Sequence, residues 1–93
     1  METEQQLLNA IRTGEREAKR RLYERFAGRT MAIALRYVAN QEDARDVVQD
    51  SFVKILTSLD YFNYQGEGSL KAWVTSIVVH QALDYVKRHE HLH

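Results

Sequence analysis

The feature that most constrains this chain is the absence of proline, combined with only four glycines in 93 residues. Because proline and glycine are the residues that most strongly interrupt helices, we expect long helices with few breaks. A chain of this length forms one domain at most and can bury only a modest core. We therefore predict an all-α fold, a compact bundle of about four helices joined by short connections.

Apolar residues recur at helical spacing through the first half of the chain. They predict one helix over about residues 3–13 and a second over about 15–38. Gly14 ends the first helix, and Gly28 is a weak point where the second could kink. The inward positions are Leu7, Leu8 and Ile11 in the first helix and Ala18, Leu22, Phe26, Ile33 and Tyr37 in the second.

A third helix is predicted from Asn40, a favourable N-cap, to about Leu59. Asp43 is placed to complete a start resembling a capping box. The inward stripe of this helix is Ala44, Val47, Val48, Phe52, Ile55 and Leu59. Beside it lies a more exposed strip, called the acidic strip below, of Asp46, Gln49, Asp50 and Val53.

Residues 60–68, called the aromatic loop below, break the helical pattern with three aromatic residues and two glycines. Ser69 is predicted to cap a fourth helix that runs to about Lys87 or beyond. Its core-facing positions are Leu70, Val74, Ile77, Val78 and Tyr85. Trp73 and His80 lie at the edge of that stripe, so each suits either a half-buried structural position or a contact with a nucleotide base.

Composition excludes several classes of protein. The chain has no cysteine, which rules out a disulfide framework and a thiolate metal site and fits a reducing compartment. Its first ten residues are polar and acidic, and no apolar run approaches the length of a membrane span. We predict a soluble, cytoplasmic protein that does not associate with membranes.

Charge is zero in sum but unevenly distributed. Residues 12–36 carry eight basic and three acidic side chains, a net +5, whereas residues 40–67 carry two basic and six acidic ones, a net −4. The zero sum disfavours a module that clamps duplex DNA by phosphate neutralisation alone. The dipolar distribution suits two different partners, although two solvated helix faces would show the same pattern.

No catalytic constellation is visible. His80 has no side chain at a spacing that makes a nucleophile pair, and residues 66–68 lack the pattern of a phosphate-binding loop. The alternating tail of His89, His91 and His93 is interpreted as the end of a helix and not as a metal site. We predict no enzyme activity, no cofactor and no metal.

Binding is the remaining class of function. The aromatic loop and the fourth helix supply flat rings, cations and polar loop atoms, which together suit single-stranded nucleic acid. The helix contributes Lys71, Trp73, Lys87 and Arg88 to this set.

Four segments resemble, in order and spacing, region 2 of extracytoplasmic-function sigma factors. They are residues 22–26 (LYERF), 34–38 (ALRYV), 42–54 (EDARDVVQDSFVK) and 70–73 (LKAW). The resemblance covers essentially the whole chain and implies one sigma factor region 2 domain over residues 1–93. In that family a linker and a helix-turn-helix domain follow, so we expect a truncated sequence.

The resemblance implies two partners for the third helix. In the family, this helix docks on the clamp helices of the largest catalytic subunit of core RNA polymerase. The matching contacts here are the acidic strip residues Asp46, Gln49, Asp50 and Val53. An anti-sigma factor is a further implied partner.

The resemblance also implies promoter DNA as a partner. In the family, the loop before the last helix, here residues 63–69, captures a flipped base of the non-template strand of the minus-ten element, and the last helix completes the recognition and strand separation. The implied DNA-binding residues are Asn63, Tyr64, Gln65, Ser69, Lys71, Trp73, Ser76, His80, Lys87 and Arg88. For the basic second helix, the resemblance leaves open two roles, phosphate contacts or salt bridges within the core, for Arg25, Arg29 and Arg36.

Two positions depart from the family pattern. Ser76 stands where the family usually has arginine, and His80 where it commonly has asparagine, which bears on promoter preference. These departures leave open an alternative, a sigma-like interaction module that binds polymerase or an anti-sigma factor without recognising a promoter. A duplex-binding helix-turn-helix unit is disfavoured by the neutral charge and by the lack of a short turn between two brief helices.

Overall fold

The computed structural model describes residues 1–90, and His91 and His93 lie outside the described residues. Within residues 1–90 the chain forms four α-helices and no strand, which confirms the predicted all-α bundle. The helices are α1 (Glu4–Arg12), α2 (Ala18–Tyr37), α3 (Gln41–Ser58) and α4 (Ser69–Glu90), and a single 3₁₀ turn (Leu59–Tyr61) follows α3.

Two of the helix starts are fixed by local side chains. The Thr3 hydroxyl accepts from the Gln6 amide at 3.1 Å, and the Gln6 side chain accepts from the Thr3 amide at 2.9 Å, which completes a capping box at α1. The predicted cap of α3 is confirmed, because Asn40 Oδ1 accepts from the amides of Glu42 at 2.8 Å and Asp43 at 3.2 Å.

The start of α2 differs from the prediction by three residues. Residues 15–17 form a turn, closed by a 3.2 Å bond from the Ala18 amide to the Glu15 carbonyl, and Glu17 adopts a positive φ of 66°. A residue in this conformation cannot continue a right-handed helix, so α2 begins at Ala18. The helix then runs through Gly28 without a break.

The core lies between α2, α3 and α4, and α1 packs against α2. Every inward position predicted for α3 is buried. In α2, Tyr37 is 40% exposed, so its predicted inward position is wrong. With 3.6 residues per turn, the buried stripe passes instead through Thr30, Ala34 and Val38.

Residues 1–90 contain no helix that is both long and apolar enough to cross a membrane. In the same part of the chain, no three histidine, aspartate or glutamate side chains converge as a metal site would require.

Candidate functional site

The acidic strip lies on the outer face of α3, opposite the buried stripe. Asp46, Gln49 and Asp50 are exposed, and Val53 is 63% exposed, as the helical spacing predicts. Over the described part of the chain, no hydrogen bond or ion pair engages the side chains of Asp46, Gln49 or Asp50. The strip therefore offers two carboxylates, an amide and one apolar side chain for contact with another molecule.

A shallow groove of about 290 Å³ runs between the acidic strip and the end of α4. Arg88 lines this groove and lies 3.6 Å from Asp84 in an exposed ion pair. Tyr85 lines it too: the neighbouring Asp43 carboxylate, together with partial burial and nearby negative charge, raises the pKa of Tyr85 to about 12. Arg88, predicted to bind DNA, thus lies beside the strip predicted to bind polymerase.

The aromatic loop folds two of its three rings onto the core. Phe62 packs on Trp73 with ring centroids 4.7 Å apart, and Tyr64 is also half-buried against the core. Burial raises the pKa of Tyr64, and the charges of Glu67 and Glu4 add to the effect. By contrast, Tyr61 is 88% exposed. These packed rings, Phe62, Tyr64 and Trp73, therefore support the loop from its core side.

The polar residues of the loop face solvent. Asn63 and Gln65 are exposed, and they precede two glycines with positive φ, Gly66 at 105° and Gly68 at 97°. The Ser69 hydroxyl donates to the Gly66 carbonyl at 2.7 Å and accepts from the Gln65 amide at 3.1 Å. These bonds close the loop into a tight turn directly before α4.

The cap of α4 corrects the sequence prediction, because it comes from α1 and not from Ser69. One Glu4 carboxylate oxygen accepts from the amides of Gly68 at 2.9 Å and Leu70 at 3.0 Å, and the other accepts from Lys71 at 3.0 Å. Glu4 is buried, with only 2% of its surface exposed. A carboxylate satisfies more of the free amides at the positive end of a helix than a hydroxyl can, which leaves Ser69 to close the loop.

The exposed face of α4 gathers part of the predicted DNA-binding set. Ser76, His80 and Lys87 are exposed and share one face at helical spacing. His80 is not half-buried, since the buried residues of α4 recur at Leu70, Val74, Val78 and Ala82, on another face. The structural alternative for His80 is therefore wrong.

Lys71 lies apart from that face, in a cleft of about 550 Å³ between α2 and the start of α4. Arg25 and Arg29 line the same cleft, and both are engaged internally. Arg25 donates to the Glu2 carbonyl at 2.6 Å, and Arg29 donates to the Thr75 hydroxyl at 3.0 Å. Arg36 is exposed in a neighbouring groove with Tyr37.

Sequence analysis did not identify three residues that shape this region, namely Glu4, Arg12 and Glu67. Arg12 donates to the carbonyls of Leu59 at 3.2 Å and Phe62 at 2.8 Å, at the start of the aromatic loop. These contacts join residues 47 or more positions apart. Periodicity and capping patterns relate only near neighbours, so no local signal identifies them.

Comparison with known families and proteins identifies the chain. The family model for Sigma-70 region 2 matches residues 22–91. The ECF RNA polymerase sigma-E factor of Haemophilus influenzae is 32% identical over 84 residues, 90% of this chain and 43% of the relative. The corresponding factor of Escherichia coli is 31% identical over 84 residues, covering 90% and 42%. The RNA polymerase sigma-H factor of Pseudomonas aeruginosa is 25% identical over 85 residues, covering 91% and 43%.

The chain thus spans less than half the length of these relatives. Its four-helix architecture agrees with the family match, which covers α3 and α4 and most of α2. The chain belongs to the sigma-70 region 2 family, as a region 2 of the extracytoplasmic-function group.

Proposed function

We propose that this domain acts in transcription initiation, where it docks on core RNA polymerase and holds the minus-ten promoter element open. The observation that carries the proposal is the presence of two separate exposed surfaces, the acidic strip on α3 and the aromatic loop with the outer face of α4. The relatives are named as RNA polymerase sigma factors, which supports both partners. The activity is non-catalytic, because binding energy alone opens the promoter.

The acidic strip is the proposed polymerase-docking surface. Its side chains have no internal partners among residues 1–90, so docking breaks no contact within the domain. Carboxylates at such a surface favour a basic partner and set the orientation of the encounter. Val53 adds apolar area at the end of the strip, and its burial on docking would be favourable.

The test is retention of the domain on immobilised core polymerase, comparing wild type with the double variant Gln49→Ala and Asp50→Ala. We expect the double variant to lose most of its retention and to keep its helical circular dichroism, because both residues are exposed. A matched control changes Gln41 and Asp60, an exposed glutamine and aspartate outside the strip, to alanine. Equal retention of both double variants would refute the docking assignment.

The aromatic loop and the outer face of α4 are the proposed site for the non-template strand. Asn63 and Gln65 are exposed at the loop and can form hydrogen bonds with the edge of a base taken out of the stack. Ser76, His80 and Lys87 then follow the strand along α4. Once core polymerase is bound, capture of a base in this way would bias the duplex toward the open state.

Strand binding is best measured with an oligonucleotide pool, because the preferred promoter sequence is unknown. A random single-stranded pool is enriched on wild-type domain bound to core polymerase, and the affinity of the enriched strand is then measured by fluorescence anisotropy. We expect Asn63→Ala with Gln65→Ala to weaken this affinity, and Gln5→Ala with Asn9→Ala, an exposed pair on α1, to leave it unchanged. Polymerase retention without any strand enrichment would instead support an interaction module that does not recognise promoters.

A further inference from the structure

Helix α1 precedes the segment that the family model matches, which begins at residue 22, although the alignments with the relatives, over 84 residues, reach into it. It nevertheless contacts both ends of the aromatic loop. Its first residue, Glu4, bonds the end of the loop, and its last residue, Arg12, bonds the start. Nine residues of α1 thus bracket the whole loop.

At the end of the loop the bonding is reciprocal. The Glu4 carboxylate accepts from the amides of Gly68, Leu70 and Lys71. In return, the Glu67 carboxylate accepts from the Glu4 amide at 3.1 Å. Helix α1 therefore caps α4, and the loop residue Glu67 in turn bonds the first amide of α1.

At the start of the loop the bonding is one-sided. One nitrogen of the Arg12 guanidinium donates to the carbonyls of both Leu59 and Phe62. Leu59 begins the 3₁₀ turn that follows α3, and Phe62 directly precedes the exposed Asn63. Bonds in which one partner is charged are stronger than neutral ones, so both ends of the loop are firmly held.

We propose that α1 is a positioning element for the loop, with Glu4 and Arg12 as its positioning residues. By holding the loop in one conformation, α1 lowers the entropy lost when Asn63 and Gln65 engage a base. Gly66 and Gly68 give the loop backbone extra conformational freedom, so the entropy that this restraint removes before binding is larger. This role rests on the proposed binding of the minus-ten strand, and it gives α1, which precedes the segment matched by the family model, control over the loop proposed to capture that strand.

The decisive variant is Glu4→Gln. It keeps the size of the side chain but replaces one acceptor oxygen with an amide group, which then faces a backbone N–H at the start of α4. We expect roughly tenfold weaker affinity for the enriched strand, with retention on core polymerase unchanged. The matched control is Glu24→Gln, which makes the same charge change at an exposed position of α2.

A second pair of variants keeps the test valid if Glu4→Gln fails to fold. Arg12→Gln removes both bonds at the other end of the loop, and Arg12 is exposed, so the fold should tolerate the change. Arg16→Gln is its control, because it lowers the charge equally from an exposed site without a contact to the loop. We expect Arg12→Gln to weaken strand affinity several-fold more than Arg16→Gln does.

Hydrogen exchange of the Gly68, Leu70 and Lys71 amides reports the position of the loop without DNA. Faster exchange in Glu4→Gln, together with weaker strand binding and intact polymerase retention, would support the proposal. Wild-type strand affinity in folded Glu4→Gln, or in Arg12→Gln if Glu4→Gln does not fold, would overturn it and leave the proposed function standing. Failure of the wild-type domain to bind any strand would instead overturn the proposed function, and this role with it.

Discussion

The acidic strip and the aromatic loop are both exposed, but they are held in different ways. The strip lies in the middle of α3, where backbone bonds between near neighbours fix every side-chain direction. The shape of the loop depends on Glu4 and Arg12, at sequence separations of 47 to 67 residues. A surface on a regular helix is thus set locally, whereas a loop surface depends on the assembled bundle. The two surfaces should therefore respond differently to the same kind of change.

The largest effect should come from a core residue that both surfaces share. Ile55 is fully buried, so Ile55→Ala should lower the free energy of unfolding by about 2–5 kcal/mol, measured by urea denaturation. Polymerase retention and strand binding should fall together. Val53→Ala is the control for stability alone, because this exposed position should change the free energy of unfolding by less than about 0.5 kcal/mol. Loss of only one activity in Ile55→Ala would mean that the two surfaces do not share one cooperative fold.

Replacement of a loop glycine should impair the binding function of the aromatic loop and spare that of the acidic strip. Gly68 has φ of 97°, and no heavy atom of residues 1–90 lies within 4 Å of an added Cβ, so the effect of alanine is purely conformational. Gly68→Ala should destabilise the domain by about 1–2 kcal/mol and weaken strand binding, with polymerase retention preserved.

Gly28→Ala makes the same chemical change inside α2, where an added Cβ also has no neighbour within 4 Å in the described part of the chain. There it should stabilise the domain by about 0.5–1 kcal/mol, because alanine favours a helix. Destabilisation of both variants by equal amounts would show that backbone conformation does not govern the loop.

The N-cap of α3 should affect the strip and not the loop. Asn40→Ala removes two bonds to the first turn of α3 and should lower the free energy of unfolding by about 1 kcal/mol. Thermal denaturation monitored by circular dichroism measures this change, with Asn63→Ala as the control at an exposed asparagine that caps no helix. A larger loss of strand affinity than of polymerase retention would contradict the local character of the strip.

The smallest effect at neutral pH concerns Tyr85, where α4 meets the acidic side of α3. Its pKa is raised from 10.0 to about 12, so the folded state holds this proton more tightly than the unfolded state does. The resulting stabilisation is complete below pH 10 and is lost as the pH rises through about 12. Tyr85→Phe should remove this part of the alkaline fall in unfolding free energy, whereas Tyr61→Phe should not. Identical alkaline profiles for wild type and Tyr85→Phe would exclude the coupling to Asp43.

Much of the fold could be predicted because it follows from near neighbours. The lack of proline, the stripe from Ala44 to Leu59 and the Asn40 cap placed α3 and its exposed strip correctly. Two predictions made from local patterns were wrong. Ser69 has the right chemistry for a cap, but a buried carboxylate from α1 occupies that place. Tyr37 has helical spacing, yet the stripe of α2 drifts past it before the helix ends.

By itself, the sequence determined the helices, the buried face of α3 and the set of side chains that α3 and α4 expose, because helical periodicity fixes direction within each element. Only the tertiary structure decided which of these side chains stand together. It placed Arg88 beside the acidic strip, Lys71 in the cleft with Arg25, and Glu4 at the start of α4. Such contacts depend on how the helices pack, and packing depends on residues far apart in the chain.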